Sequence, residues 1–363
     1  LEEGSPGIAA AGMVLHYLKE TQKGSLANIT RLVRVEETRF VALPRATQLN
    51  LELVRNLSGG DDATLFSVLD RTKTPAGGRL LRQSILKPLR DAGEIGKRQD
   101  LVTVFVADRV FLGQTGEALS GIRDLQRLIS RIAGGRANAR DLVALRFSLE
   151  GVHQLRRHLL GKPEFLEIRM HCADLSELTG LIAAALLDEP ALTTGEGGMV
   201  RDGWDKELDV LRGLSKDSRD WIAELQAAEQ KRTGIASLKI KYNRVVGYFI
   251  EVSKANSALV PADYERKQTL VGGERYIIPS LKEYEEKVLT ARERIIALEE
   301  KIFQEIREKA AGWLPQVMEA AEAVALVDML ACFATLALER DYVRPQVHTG
   351  DELLIREGRH PVV

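Results

Sequence analysis

The sequence predicts a mainly α protein with a small β-rich module inserted at the tip of a long antiparallel helix pair. Three observations predict it. First, Trp204, Leu208, Leu211, Ser215, Ser218, Ile222 and Leu225 recur every three or four residues, and so do Leu281, Tyr284, Val288, Ala291, Ile295, Leu298, Ile302 and Ile306. That spacing places each set on one face of a helix. A helix with a single apolar stripe needs a partner, and the simplest pairing joins the two stripes in an antiparallel seam. Second, the period between the two helices switches to two. Leu238, Ile240 and Tyr242 alternate with Lys239 and Lys241, and Val246, Tyr248, Ile250 and Val252 alternate again, which reads as a hairpin with one apolar face. Third, the chain is poor in aromatics, at 5%, and rich in Leu, Ala, Glu and Arg, which favours helices. At 1.5 Å per residue each arm is roughly 40 Å long, so the module is placed to reach something.

In chain order, residues 13–20 close a first helix near Gly24. Ile29–Val35 and Arg39–Leu43 read as a short strand pair that Asn50–Arg55 extends. Asp61 or Asp62 is a candidate N-cap for a helix beginning at Ala63. Thr74-Pro75 is a cap followed by Pro at the first helical position, and Pro88 ends that helix. Leu125, Leu128, Ile129 and Ile132 make a stripe stopped by Gly134-Gly135. Asp141 opens the next helix, and a loop follows over Thr193–Gly198. Asn243-Arg244 makes the hairpin turn, Ser253–Gly273 reads as loop, and Tyr276–Ile278 as a returning strand. Ser280 with Glu283 fits a capping box, so the return helix starts at Leu281 and ends near Gly312. A nearly all-apolar helix spans about 315–340, and Leu353–Ile355 begins a last strand.

The chain of 363 residues carries a net charge of −1, so as a whole it does not advertise a polyanionic partner. Between Lys231 and Tyr276, however, nine basic residues face four acidic ones. That excess, beside polar residues such as Ser253, Asn256 and Thr269, suits phosphate oxygens. The rest of the chain argues against catalysis. Gly93-Glu94-Ile95-Gly96-Lys97 is followed by Arg98 rather than a hydroxyl residue and is too short for a phosphate loop. His153 and His158 fall on different helix faces, and no CxxC pair exists. Cys172 and Cys332 read as reduced structural thiols of a cytosolic protein. No unbroken apolar run reaches the ~18 residues of a membrane span. Leu1 stands where a start Met would, and the chain is expected to be a piece of a larger protein.

Several stretches together resemble the DNA mismatch-repair MutS family. They are Asn56–Gly60 with Leu65–Asp70 and Thr74-Pro75, Gly247–Lys254, Arg266–Leu270, Glu274–Tyr276, Glu283–Lys287 and Glu357–Val363. They run in the family's order over nearly the entire chain. The resemblance implies a long-helix lever bundle with an inserted β-rich clamp. Residues 1–41 would be the tail of a connector domain and 42–218 the first part of the core and lever. Residues 219–279 would be the clamp, 280–350 the return of the lever, and 351–363 the start of a truncated ATPase domain. It implies contact with the sugar–phosphate backbone of double-stranded DNA, carried over by position to Lys254, Asn256, Arg266, Lys267 and Arg275, with Lys239 and Lys241 beside them. Val271-Gly272-Gly273 stands where related clamps often carry a polar or basic tip. The family's mismatch-reading Phe-x-Glu segment is not found in a suitable loop. No catalytic, metal or cofactor residue maps onto this chain, whereas the parent would use ATP and Mg²⁺. The parent would act on mismatched DNA as a homodimer, with the repair protein MutL downstream, in the cytoplasm at the nucleoid and with no membrane. The alternatives are a MutS-like recombination paralogue, and a helical scaffold whose basic tip binds an acidic protein.

Overall fold

The computed structural model describes residues 6–21, 29, 37–191, 195, 197–243, 247–270 and 272–362, the side chains of 37, 214–220 and 287–289 excepted. The chain forms two compact units, 1–184 with 306–363, and 185–305.

The first unit is helical. Its centre is α13 (Leu314–Arg340), against which α3 (Leu65–Leu69), α4 (Pro75–Leu86), α5 (Ala92–Ala107), α6 (Arg109–Ser120), α7 (Leu125–Ala133) and α9 (Leu166–His171) pack. α8 (Ala139–His158) lies on α6 and α7. α13 buries fifteen of its residues, among them Met329, Leu330 and Cys332, because apolar and Ala side chains surround it on every side. By length and composition it is apolar enough to cross a membrane, yet it is mostly buried in this unit. Its one buried charge, Asp328, accepts from the Lys73 and Thr74 backbone N–H groups at 2.9 and 2.7 Å and from the Thr74 hydroxyl at 2.7 Å. Thr74 in turn caps α4, accepting from Gly77 N–H.

Several starts differ from the sequence-based expectation. The first helix, α1, is Pro6–Thr21. Arg39–Leu43 is not a strand; Phe40 makes a single bridge to Leu89, and Pro44 leads into α2 (Arg45–Asn50). Most of the expected partner, Ile29–Val35, lies outside the described residues, and 51–55 is turn and bend. Thr64, not Asp61 or Asp62, caps α3 in a reciprocal box with Ser67. Asn138 caps α8, and Asp141 closes the box from inside the helix. Leu353, Leu354 and Ile355 are exposed and unpaired, since a strand forms only where a neighbour takes its backbone groups.

α10 (Ser176–Ala185) closes the first run of the first unit, and residues 186–205 lead to α11 (Lys206–Thr233) of the second. Of the expected loop, 192–194 and 196 lie outside the described residues. Asp205 caps α11 through Leu208 N–H at 2.9 Å. Gly234, at φ 71°, ends the helix with left-handed backbone, as glycine readily does. α12 (Pro279–Ala311) begins two residues earlier than the capping box suggests, with Pro279 at its first position. The helices run antiparallel. Glu207 pairs with Arg294 at 3.1 Å, and Trp221 stacks on Tyr284 at 3.9 Å. Leu208, Leu211, Leu281, Ala291 and Ile302 of the predicted stripes are buried; the side chains of Ser215, Ser218 and Val288 are not among those described. The seam also holds a buried carboxylate. Glu299 takes Arg212 at 2.6 Å and Met199 N–H at 2.8 Å.

Between these helices lies one antiparallel sheet in the order β1–β2–β4–β3: β1 (Lys239–Asn243), β2 (Gly247–Ser253), β3 (Glu265–Thr269) and β4 (Gly273–Ile277). The hairpin turn from Arg244 lies outside the described residues. β3 replaces part of the expected loop. All five of its residues are exposed, so it carries no alternation to detect.

Candidate nucleic-acid interface

The sheet owes its two faces to the period of a strand. One face packs Ile250, Val252 and Tyr276 with Leu238, Ile278, Leu281 and Tyr264 into the module's own core. Leu225 from α11 and Leu281 from α12 join that core. The register sets Lys239 opposite Glu251, Glu251 opposite Arg275, and Arg275 opposite Gln268, while Lys241 lies opposite Phe249. These residues share the outward face.

A second anchor ties the module to α11. The Tyr264 hydroxyl donates to Glu229 at 2.7 Å, and Arg232 bridges Glu229 and Asp263 at 2.8 and 3.0 Å. Burial and the Glu229 bond push the Tyr264 phenol well above its ordinary range. Burial and Glu274 push Tyr276 up to about 12. The bond to Arg232 holds Asp263 below the usual carboxylate range.

The seven predicted contact residues fall into distinct environments. Arg275 is a structural residue of the outer face. Its guanidinium lies 4.4 Å over the Phe249 ring and donates to Gln268 at 2.8 Å. That cover explains why Phe249, on the outward face, is only 2% exposed. Lys241 pairs with Glu251 at 2.7 Å, Arg266 with Glu274 at 3.4 Å and Lys267 with Glu265 at 2.5 Å. Lys267 sits at a register shift between Arg266 and Gln268, on an exposed edge strand. Asn256 donates to Ser237 at 3.0 Å. Lys239 and Lys254 are exposed and have no ion-pair partner among the described residues. Each of the four carboxylates in the segment is therefore already neutralised, and the charge excess surfaces at lysines. The sequence did not indicate the support given by Phe249 and Gln268, because that depends on strand register.

Gly93–Lys97 forms the first turns of α5, so its backbone N–H groups are not gathered into a phosphate cradle. His158 Nε2 lies 3.1 Å from both the Phe111 carbonyl and the Thr115 hydroxyl, a packing role. Among the described residues no cluster of three His, Cys, Asp or Glu could hold a metal. Gly93–Lys97 therefore does not fit the phosphates of ATP, and the described side chains do not fit Mg²⁺.

Comparison with known proteins agrees with the motifs. The family model for MutS domain III matches residues 46–334. A DNA mismatch repair protein MutS from Salinibacter ruber is 43% identical over 98% of this chain. Those from Anaeromyxobacter dehalogenans and Methanosarcina mazei are 44% and 43% identical, again over 98% of the chain. The chain spans 40–41% of the length of these relatives. With a family model across most of its length and identities of this size, the chain belongs to the MutS family.

Proposed function

We propose that this chain is the lever-and-clamp portion of a DNA mismatch-repair ATPase and that its sheet holds duplex DNA by the sugar–phosphate backbone. The observation that carries the reading is the lysine-bearing outward face of a small sheet held between the ends of two long antiparallel helices. A compact, exposed ammonium contacts phosphate without reading base edges. In this reading residues 219–279 are the clamp, although α11 runs unbroken past 218 and the β part begins at Lys239. Residues 42–218 and 280–350 are core and lever, 1–41 the end of a connector, and 351–363 the entry to an ATPase domain. Lys239 on the face and Lys254, the first residue of the short 3-10 helix Lys254–Leu259 after β2, are the primary contacts, Lys241, Arg266, Lys267 and Asn256 secondary ones, and Arg275 holds the face in shape.

In a longer parent, ATP and Mg²⁺ bound elsewhere would shift the lever helices and so open or close the clamp. That parent would work as a homodimer on mismatched DNA in the cytoplasm and signal to MutL. The buried Glu299–Arg212 pair supports the lever reading, because it lets α11 and α12 move as one body. The test is a titration of this chain against a perfect duplex and against the same duplex with one mismatch. Equal affinities are expected, since contacts to the sugar–phosphate backbone carry no base information. A preference for the mismatch would overturn the assignment.

A further inference from the structure

Within the first unit an open groove of about 610 Å³ runs between α5 and α13. Its walls are Ile85, Val102, Val106, Phe333 and Leu336, and the segment from Tyr342 to Pro345 forms one lip. The lip is pinned. Gln99 donates to the Pro345 carbonyl at 3.0 Å, and Arg344 pairs with Asp100 at 2.8 Å. The groove is thus a built feature with fixed walls, in the size range of peptide and ligand sites.

One charge in it is uncompensated. Arg98 lines the groove, is half-buried, and has neither a hydrogen bond nor an ion pair among the described residues. Burial and the Arg39 charge disfavour its protonated form, and Glu94 offsets them in part. Glu94 is already taken by Arg39 at 3.0 Å, as Asp100 is by Arg344. Lys87 and Arg90 after α4 and Lys97 on α5 are exposed, against exposed Asp91 and Asp100, of which Asp100 is held by Arg344. A cation held against apolar walls without a counter-ion is unfavourable, and a carboxylate arriving with an apolar body would relieve it.

We propose that this groove receives an acidic amphipathic helix of a partner protein, its apolar stripe on α5 and α13 and a carboxylate on Arg98. Charge complementarity favours this occupant: an apolar floor with a basic edge selects a segment that is apolar on one side and acidic at its border. The helical form follows from the walls. In this unit the described residues make only one isolated bridge, Phe40 to Leu89, and offer no strand edge for an extended peptide to extend. Two helices and a groove between them suit the ridge of a third.

The probe is a fluorescein-labelled 16-residue helical peptide of Leu, Ala and Glu with one apolar stripe. A second copy carries Lys in place of Glu, and a third has the same composition scrambled. Anisotropy with this chain should show binding of the acidic peptide at least tenfold tighter than of the other two. Arg98→Glu should weaken the acidic peptide tenfold or more and strengthen the lysine peptide, a reciprocal swap that misfolding would not produce. Val102→Asp, on the wall, should weaken both. Binding that ignores peptide charge, or that Arg98→Glu leaves unchanged, would overturn the proposal. So would dodecanoate competing at the peptide's own affinity, which would make the site one for small amphiphiles. If the Salinibacter relative at full length refuses a peptide that this chain binds, the groove is covered by the parent's own remaining chain and the partner assignment falls.

Discussion

Replacing Gly77 by Ala in the first turn of α4 should destabilise the protein, although helix propensity alone predicts the opposite. In a helix interior Ala is favoured over Gly by about 1 kcal/mol. Here a Cβ would fall against the Asp328 carboxylate, 2.6 Å from its Cγ and 2.8 Å from its Cβ. Asp328 is 1% exposed on α13, and displacing its carboxylate loosens its bonds from Lys73 N–H, Thr74 N–H and the Thr74 hydroxyl. Bonds to a charged acceptor contribute about 1.5–3 kcal/mol each. Partial loss of three, set against the propensity gain, leaves a net destabilisation of about 1–3 kcal/mol. At roughly 3 °C per kcal/mol for a unit of this size, Tm should fall by about 3–9 °C. Circular dichroism at 222 nm during heating reads this directly. The control is Gly96→Ala in α5, where nothing lies within 4 Å of the new methyl, and Tm should hold or rise. A Gly77→Ala protein as stable as its parent would refute the idea that the glycine exists to admit Asp328.

Two further outcomes follow from buried polar groups in the second unit. Tyr264 and Tyr276 both have folded-state pKa values raised by burial and by a carboxylate neighbour, Tyr276 to about 12. A raised value means the stabilisation is complete below the unfolded value near 10 and is lost as pH rises through the folded one. Urea midpoints of the sheet should therefore drop between about pH 10 and 12, and Tyr264→Phe should flatten that drop; an unchanged slope contradicts it. Glu299→Ala leaves the buried Met199 N–H without its acceptor and Arg212 with only Asp202 and the Val200 carbonyl, and should remove about 1–3 kcal/mol in urea unfolding. A loss below about 1 kcal/mol would mean that water already screens the pair.

Much of the fold was legible because one-sided helices announce themselves. The stripes through Leu208–Leu211 and Leu281–Ile302 located α11 and α12, and Thr74-Pro75 located α4 to the residue. The β1–β2 hairpin was legible because its apolar residues fall on one side. β3 was not, because Glu265 to Thr269 are exposed on both sides and resemble loop. Caps were misplaced by a few residues wherever two capping types stood close together. Thr64 displaced Asp61 and Asp62 because Ser67 lies three residues on and can answer it. The charge excess was visible as a count but not as a surface. Only the register shows that Glu251, Glu265 and Glu274 cancel Lys241, Lys267 and Arg266, and that Arg275 is occupied with Phe249. The internal acids Asp328 and Glu299 left no local signal, since their partners lie about 254 and 87 residues away.

The measurement that tests the central claim most directly is the salt dependence of duplex binding, wild type beside Lys239→Ala/Lys254→Ala. Each phosphate neutralised contributes about −0.9 to the slope of log K against log salt. The wild type should bind weakly, with an affinity that falls steeply with salt. The double variant should show a slope flatter by about 1.8, with an unchanged melting temperature because neither lysine side chain has an ion-pair partner among the described residues. An identical slope in both proteins, or no binding even at low salt, would contradict the reading of this sheet as a grip on the DNA backbone.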